Sequence, residues 1–324
     1  MLRVLVTGGA GYIGSHTVKE LLKKGYEVLI FDNFSSGHKD LVLGGGLVRG
    51  DLRSKEDIRA VFEQHQIEAV LHFAALIQVG ESLTDPHKYY SHNLITSLNL
   101  LEAMLRHRVK YCIFSSSAAV YGEPMKIPME EDHPLNPINP YGVTKFMTER
   151  ILQDYDQAYD LKYATLRYFN AAGADPEGQL GEKHNPETHL IPSILLYLLG
   201  KKEDFRVHGH DFPTPDGTAI RDYIHVTDLA RAHVLALEKL LKERQSQAIN
   251  LGSSRGYSVL EVVSAVEKIT GKTVKLRFGP RRRGDVPVLL ASSYKAETWL
   301  GWKREFSDLE FIIETAWKWH QKNS

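Results

Sequence analysis

Short apolar runs alternate with amphipathic stretches along the first half of the chain. Segments between these runs, such as residues 12–24 and 54–65, have apolar positions at helical spacing, and Ser54 with Asp57 forms a candidate capping box at the start of the second. Strands separated by helices in this way predict βαβ units and a parallel sheet that is buried on both faces. The predicted strands are residues 3–7, 27–31, 47–50, 69–73, 111–115 and 163–168.

The second half of the chain is richer in loops. Residues 171–188 contain three glycines and two prolines, and helices are predicted after them at residues 190–199, 227–242, 259–270 and 308–319. We therefore expect an α/β fold. Residues 1–168 would form a doubly wound parallel sheet, and residues 169–324 a smaller domain from which some segments return to the first.

Charge and composition narrow the class of function. The 324 residues include 40 Lys and Arg and 40 Asp and Glu, so no basic excess favours nucleic acid or an anionic membrane as a partner. No apolar run approaches the roughly 18 residues of a membrane span, and the N-terminal run leads into glycines rather than a signal-peptide cleavage site. The single cysteine, Cys112, cannot form an internal disulfide. We expect a cytoplasmic protein in which Cys112 is buried.

A glycine run lies between the first predicted strand and the first predicted helix. Gly8, Gly11 and Gly14 have the spacing G-x-x-G-x-x-G. Glycines in this position allow a tight turn and let backbone amides approach a pyrophosphate at the helix N-terminus. We therefore expect a Rossmann-type sheet whose glycine loop, with Tyr12 and Ile13, holds a dinucleotide.

An acidic residue follows the second predicted strand at the distance that a dinucleotide site requires. Asp32 lies 18 residues after Gly14. A carboxylate there accepts hydrogen bonds from the adenine ribose and repels a 2′-phosphate, which favours NAD over NADP. Asp51 and Leu52, after the third strand, are weaker candidates for the adenine edge. Phe73-Ala74-Ala75 ends the fourth strand with small residues that let the cofactor lie against the backbone.

Three later residues form a candidate catalytic set. Tyr141 and Lys145 are four residues apart, so on a helix they share one face. A phenol with a pKa of about 10 is a poor base near neutrality, and an ammonium and a positive nicotinamide ring beside it would favour the phenolate. Ser117, in a loop after the fifth strand, could bridge the substrate hydroxyl and Tyr141. A Tyr-x-x-x-Lys spacing alone carries little weight, but it gains weight from its order after the glycine loop and the serines.

These motifs together resemble the extended short-chain dehydrogenase/reductases, and among them the enzymes that epimerise UDP-hexoses at C4. The resemblance implies that Tyr141 is the base, Lys145 lowers its pKa, and Ser117 relays the proton. It covers practically the whole chain. The matching segments are residues 4–16, 31–33, 72–74, 114–122, 141–145, 166–170, 216–218, 221–226 and 282–285.

The same resemblance implies the residues around both ligands. Arginine side chains suit the diphosphate of a UDP-sugar because they form paired hydrogen bonds to anionic oxygens. The implied cofactor contacts, beside those above, are Asn33, Ser36, Asn93 and Phe169 together with Tyr141 and Lys145. The implied substrate contacts are Ser117, Tyr141, Asn170, His189, Leu190, Arg221, Arg282, Asp285 and Leu289.

Three positions depart from the family pattern. Ile77 stands where many members have a lysine, so one pyrophosphate contact is expected to be absent. His189 stands where an asparagine is usual, and a histidine still donates to phosphate, more strongly at low pH. His92 precedes Asn93, which leaves open which of the two contacts the cofactor.

Two other functions remain as alternatives. A nucleotide-sugar 4,6-dehydratase needs a further acid and base after its catalytic hydroxyl residue, where this chain has Ala118 and Ala119. A non-catalytic NAD-binding regulator would not need Ser117, Tyr141 and Lys145 together.

Assembly, metal binding and sugar choice complete the expectations. The resemblance implies a homodimer through helices in residues 86–107 and 141–159, with an apolar stripe that could equally face the sheet: Leu94, Leu98, Leu101 and Leu105. The scattered histidines predict no metal site, and His225 is expected to be structural. Leu289, four residues beyond Asp285, would border the sugar's C2 substituent where a tyrosine crowds an N-acetyl group. Unless Leu289 simply packs beside Leu290, N-acetylated UDP-sugars are expected to fit.

Overall fold

A computed structural model describes residues 2–282 and 284–323 of the chain. The described residues contain thirteen strands and ten α-helices. The strands are β1 (Arg3–Thr7), β2 (Glu27–Asp32), β3 (Gly46–Arg49), β4 (Ala69–His72), β5 (Tyr111–Ser117), β6 (Lys162–Tyr168), β7 (Asn170–Ala172), β8 (Val207–His208), β9 (Ile220–His225), β10 (Gln247–Leu251), β11 (Gly256–Ser258), β12 (Phe278–Gly279) and β13 (Val288–Leu289). The helices are α1 (Tyr12–Lys23), α2 (Lys55–Gln64), α3 (Val79–Thr84), α4 (Pro86–Tyr89), α5 (Ile95–Arg106), α6 (Pro140–Tyr159), α7 (Leu190–Leu198), α8 (Val226–Glu243), α9 (Val259–Thr270) and α10 (Leu309–Asn323).

A seven-stranded parallel sheet forms the central layer, in the order β10-β6-β5-β4-β1-β2-β3. This order contains the β3-β2-β1-β4-β5-β6 arrangement of dinucleotide-binding sheets. All six predicted strands are present within two residues of their predicted ends, and the Rossmann-type α/β prediction is confirmed.

Alternate residues of the inner strands face two separate helix layers, which explains why β1, β2 and β4 are continuously apolar. Val4 and Val6 of β1 pack in a core with α1 and α8, whereas Leu5 packs in a second core with α2, α5 and α6. Each such fully buried aliphatic side chain contributes about 1.5–3 kcal/mol. Burial against the two layers therefore fixes the register of the sheet. Because the strands are parallel, their carboxyl ends all lie at one edge of it.

The later part of the chain builds a smaller unit and also returns to the large sheet. β9 pairs with β7, β11 and β13, and β8 pairs with β12. Between these segments, α8 packs against α1, and β10 extends the large sheet beside β6. The sequence did not predict β10, because its five residues include polar Gln247 and Asn250 and show no alternation.

The helix caps confirm some local predictions and correct one. The Ser54 hydroxyl accepts a hydrogen bond from the Asp57 amide, as an N-cap does. The capping-box prediction is wrong, since the Asp57 carboxylate accepts instead from the Asp51 amide at 2.9 Å. His225 is structural, as predicted: its Nδ1 accepts from the Thr227 amide at 3.1 Å and caps α8. Cys112 is buried and unpaired.

None of the helices in the described residues is long and apolar enough to cross a bilayer.

Candidate active site

The glycine loop between β1 and α1 is shaped by two close approaches of backbone to backbone. Gly8 has φ +73°, and a Cβ there would lie 2.7 Å from the Ala74 nitrogen. A Cβ on Gly14 would lie 2.2 Å from the Gly8 carbonyl oxygen. Gly11 is the N-cap of α1, and no side chain caps the helix there. The first-turn amides of α1, including Tyr12 and Ile13, are therefore open to an anion at the positive end of the helix dipole.

Asp32 ties the glycine loop to the loop that follows β2. Its Oδ2 accepts from the Ala10 amide at 3.0 Å, and its Oδ1 accepts from the Phe34 amide at 2.8 Å. Each oxygen keeps a lone pair, so the carboxylate can also accept from the hydroxyls of a ribose.

An open groove of about 480 Å³ lies next to the end of β2, where Asn33 follows Asp32. The Arg53 guanidinium, 2.6 Å from Asp51, holds the pKa of that carboxyl well below its usual range, and Asn33 donates to the same carboxylate at 3.0 Å. Two predicted cofactor contacts do not line this groove: the Leu52 side chain is buried in the core, and Ser36 is exposed outside the groove. The groove is lined by Asn33, Ser35, Arg49, Gly50, Asp51, Arg53 and Asp57.

The segment after β4 is held in place by Asn93. The Asn93 side-chain oxygen accepts from the Leu76 amide at 2.8 Å, and its amide group donates to the Leu76 carbonyl at 3.0 Å and to Thr144 at 3.2 Å. His92 instead lies 3.1 Å from the Arg53 guanidinium. Asn93 thus positions the Phe73-Ala74-Ala75 segment, whose Phe73 and Ala74 amides both donate to the Thr7 carbonyl.

The three candidate catalytic residues converge where α6 packs against the carboxyl end of β5. Asn139 caps α6 by accepting from the Gly142 amide at 2.8 Å. One turn further on, Lys145 Nζ donates to the Ser115 carbonyl at 2.7 Å and lies 5.9 Å from the centre of the Tyr141 ring. Ser117 lies near enough to the Tyr141 phenol to lower its pKa. The structure therefore brings together a phenol, an ammonium and a hydroxyl from segments 24 residues apart in the sequence.

Burial opposes the charged forms of both Tyr141 and Lys145. It raises the pKa of the Tyr141 phenol, and the interaction with Ser117 acts in the opposite direction. It lowers the pKa of Lys145 to about 7, against the attraction of Glu149. The phenol is accordingly neutral in the unliganded protein, and it needs added positive charge nearby to act as a base.

A buried ion pair supports this arrangement from below. The Arg167 guanidinium lies 2.6 Å from the Glu149 carboxylate, and the Ser116 hydroxyl donates to Glu149 at 2.5 Å. Arg167 also donates to the Tyr121 hydroxyl at 2.9 Å. Sequence reasoning missed Glu149, although its position four residues after Lys145 places it on the same helix face.

Several of the predicted sugar-binding residues lie on or next to the small sheet, which is formed by β7, β9, β11 and β13. Leu289 of β13 lies directly opposite Arg221 of β9. Asp285 lies between two guanidiniums, 3.8 Å from that of Arg221 and 3.1 Å from that of Arg282. Asn170 donates to the Asp222 carbonyl at 2.8 Å. Arg283, part of the motif at residues 282–285, lies outside the described residues.

Two of the predicted ligand contacts lie close to Ser117, the candidate catalytic serine. Phe169 and Leu289 both pack against a cluster formed by Val120, Tyr121 and Met129, in and after the turn that begins at Ser117. The loop after β5 therefore connects the candidate catalytic residues to the predicted nicotinamide and sugar pockets.

His189 and Leu190 begin α7. His189 Nδ1 lies 2.5 Å from a Glu182 oxygen, which leaves Nε2 for a ligand. Glu182, His184, Glu187 and His189 place their ligand atoms within 4.8 Å of one another. The prediction of no metal site considered the histidines alone and left out the glutamates between them, and it stays a prediction.

Comparisons with known proteins agree with this geometry. Residues 4–252 match the family described as "NAD dependent epimerase/dehydratase family". The UDP-glucose 4-epimerase of Halalkalibacterium halodurans is 48% identical over 99% of this chain and 96% of its own length. The structure of UDP-glucose 4-epimerase from Brucella ovis in complex with NAD has a TM-score of 0.94 at 49% identity, with 98% of each chain covered. That of the UDP-Glc/GlcNAc 4-epimerase from Campylobacter jejuni has a TM-score of 0.87 at 40% identity, with 99% of this chain and 100% of the other covered.

Replacing Gly14 by alanine should abolish cofactor retention, because the new Cβ would collide with the Gly8 carbonyl. Gly80 in α3 is a matched control, since a Cβ there meets nothing within 4 Å. We expect denatured extracts of Gly80→Ala to release as much dinucleotide per chain as the parent, and those of Gly14→Ala to release at least ~10-fold less. Equal dinucleotide content in the two variants would contradict the assignment of the loop.

Proposed function

The chain belongs to the NAD dependent epimerase/dehydratase family and, within it, to the UDP-glucose 4-epimerases, and on that premise we propose that it interconverts UDP-galactose and UDP-glucose. The observation that carries this proposal is the convergence of Tyr141, Lys145 and Ser117 at the carboxyl end of β5. The same edge of the sheet holds the glycine loop, since parallel strands end together.

The residues of the loop fit NAD as the cofactor. The first-turn amides of α1 are not capped by a side chain and therefore suit the pyrophosphate of NAD. Gly8 has no side chain to cover the backbone where the loop approaches Ala74. Asp32 has free lone pairs for an adenine ribose, and its charge disfavours the 2′-phosphate of NADP.

The proposed reaction leaves the substrate with no net change in oxidation state. Held by the glycine loop and Asp32, NAD would supply the acceptor for the hydride of C4 and, once reduced, the donor that gives the hydride back to that carbon. Tyr141 takes the proton of the 4-hydroxyl, directly or through Ser117, and the Lys145 ammonium stabilises the resulting phenolate. The 4-keto sugar turns over within the pocket, and Tyr141 then returns the proton to the new hydroxyl.

Arginines on the small sheet would hold the nucleotide half of the substrate. Arg221 and Arg282 both face Asp285, which orients their guanidiniums. A diphosphate offers paired oxygens to such groups. Firm binding of UDP would keep the substrate in place while the sugar turns over.

The alternative functions are not favoured. A 4,6-dehydratase needs additional proton-transferring groups after the catalytic hydroxyl, and Ala118 and Ala119 offer none. A non-catalytic regulator would not require the buried Tyr141 and Lys145 to be placed beside Ser117.

Tyr141→Phe should lower kcat for UDP-galactose by at least ~100-fold, because removing a general base costs about 10²–10⁴-fold. Tyr294→Phe, which alters an exposed tyrosine, is the control and should retain the parent rate. Both variants should bind UDP as the parent does in calorimetry. If Tyr141→Phe turns over within a few-fold of the parent, Tyr141 is not the base.

We further propose that the protein accepts UDP-N-acetylglucosamine and UDP-N-acetylgalactosamine. Leu289 is half-buried, lies opposite Arg221 and packs near the turn after Ser117. A leucine there lacks the ring and hydroxyl of a tyrosine, and so leaves space for a larger group at C2 of the sugar.

Leu289→Tyr should depress turnover of the N-acetylated pair selectively. Atoms forced into a packed site cost about 1–3 kcal/mol, which corresponds to a roughly 10- to 100-fold change in preference. Competing the two substrate pairs against each other measures that ratio, and Leu276→Tyr, at an exposed position, controls for the added ring. An equal loss on both pairs, or no N-acetyl activity in the parent, would refute the proposal.

We also propose a homodimer that forms through α5 and α6. The predicted apolar stripe on α5 does not face the same surroundings throughout: Leu101 is buried against the sheet, whereas Leu98 is 37% exposed. Ile95 on α5 and Met147 on α6 are also exposed, at 49% and 40%. These exposed apolar side chains lie on the two helices that the family resemblance implies for dimerisation, and a second copy would cover them.

Light scattering should give twice the 36.7 kDa chain mass at micromolar concentration. Leu98→Arg combined with Met147→Arg should shift the protein toward the monomer, because two charges would be buried in the interface. Leu276→Arg should not. A parent protein that scatters as a single chain would refute the dimer.

A further inference from the structure

Four side chains with metal-ligating atoms converge just before α7, away from Tyr141, Lys145 and Ser117, and one of the four, His189, is also an expected substrate contact. Glu182 Oε1 lies 3.0 Å from His184 Nδ1 and 2.5 Å from His189 Nδ1. Glu187 places Oε1 3.5 Å from His189 Nδ1 and Oε2 3.7 Å from His184 Nδ1. Glu187 Oε1 also accepts from the His189 amide at 2.8 Å. Two imidazole nitrogens and two carboxylates therefore surround one point.

The two carboxylates are buried without a lysine or arginine partner among the described residues. The Glu182 and Glu187 side chains are only 4% and 5% exposed. Lys183 turns away to Asp40, and Lys202 reaches only the Glu187 carbonyl and the Ser193 hydroxyl. Because a buried carboxylate requires a compensating charge, this pair needs a cation supplied either by the imidazoles or by a bound ion.

We propose that Glu182, His184, Glu187 and His189 bind one divalent transition-metal ion, and that zinc is the ion that this ligand set suits best. Zinc takes four nitrogen, oxygen or sulfur ligands at about 2.0–2.2 Å in a tetrahedron. Neighbouring ligands of such a tetrahedron lie about 3.3–3.6 Å apart. Glu187 presents Oε1 to His189 at 3.5 Å and Oε2 to His184 at 3.7 Å, both close to this range. Glu182 Oε1 lies closer to the two imidazoles, at 3.0 and 2.5 Å, and would have to move outward when an ion binds.

The ion would fasten a loop next to the proposed cofactor site. The His184 ring packs edge-on against Tyr12, the first residue of α1, at 6.2 Å between ring centres. Trp319 donates to the Glu182 carbonyl at 3.0 Å, and His38 lies 2.8 Å from the Lys183 carbonyl. All four ligands come from the protein, which is typical of a structural zinc site. Occupancy would therefore stabilise the fold around the start of α1.

The competing explanation is a metal-free cluster in which both imidazoles are protonated and pair with the carboxylates. This would satisfy the same charges, but it would bind no zinc. The two explanations are therefore separated by a direct measurement of metal binding.

The experiment titrates untagged, chelator-treated protein with zinc chloride alone in a calorimeter. We expect one zinc ion per chain, and a rise in Tm with zinc. His184→Ala should weaken binding by at least about 100-fold, because changes beyond the ligands themselves already cost about 10–100-fold. Glu182→Gln should weaken it as well, and His65→Ala, which changes a histidine outside the cluster, should bind as the parent does.

Crystals soaked in zinc locate the ion independently by anomalous scattering at the zinc edge, even if a variant fails to fold. An anomalous peak among the four side chains supports the site. The proposal is overturned by an absence of stoichiometric binding, by equal affinity in the parent and His184→Ala, or by a peak elsewhere on the chain. None of these readouts depends on the epimerase reaction.

Discussion

The packing of α6 onto the carboxyl end of β5 is the constraint on which the rest of the proposed site depends. Three successive serines make the contact. The Ser115 carbonyl accepts from Lys145, the Ser116 hydroxyl donates to Glu149, and Ser117 lies beside the Tyr141 phenol and lowers its pKa. The helix can approach this closely because Gly142 has no side chain: a Cβ there would lie 2.4 Å from the Ala119 carbonyl oxygen. The position of every proposed catalytic group follows from this one contact.

That packing places a costly set of charges inside the protein. Burial lowers the pKa of Lys145 to about 7, and the Glu149–Arg167 pair is almost wholly buried. Buried ion pairs are weak evidence for stability, since desolvation offsets their attraction. Here the pair lies directly beneath the candidate catalytic residues, because Glu149 accepts a hydrogen bond from Ser116 and lies one helical turn from Lys145. We interpret it as a positioning device for the lysine.

Much of the fold was predictable because local and global requirements agree. β1, β2 and β4 are apolar on both faces, and the glycines at positions 8 and 14 are required by backbone approaches of under 3 Å. The failures arose where distant segments meet. β10 forms a strand because it pairs with the exposed edge of β6. The Asp57 carboxylate does not complete a capping box because it accepts a hydrogen bond from the Asp51 amide instead. The Glu182–His189 cluster depends on a loop conformation that spacing alone does not reveal.

The central claim is that a single hydride leaves C4 and returns to the same carbon within one closed site. The most direct test uses UDP-galactose deuterated at C4, converted by the protein in ordinary water and analysed by mass spectrometry and NMR. Because the proposed cycle has no step that exchanges this hydride with solvent, the UDP-glucose formed should retain deuterium at C4 in full. Loss of the label to water, or its appearance at another carbon, would contradict the account.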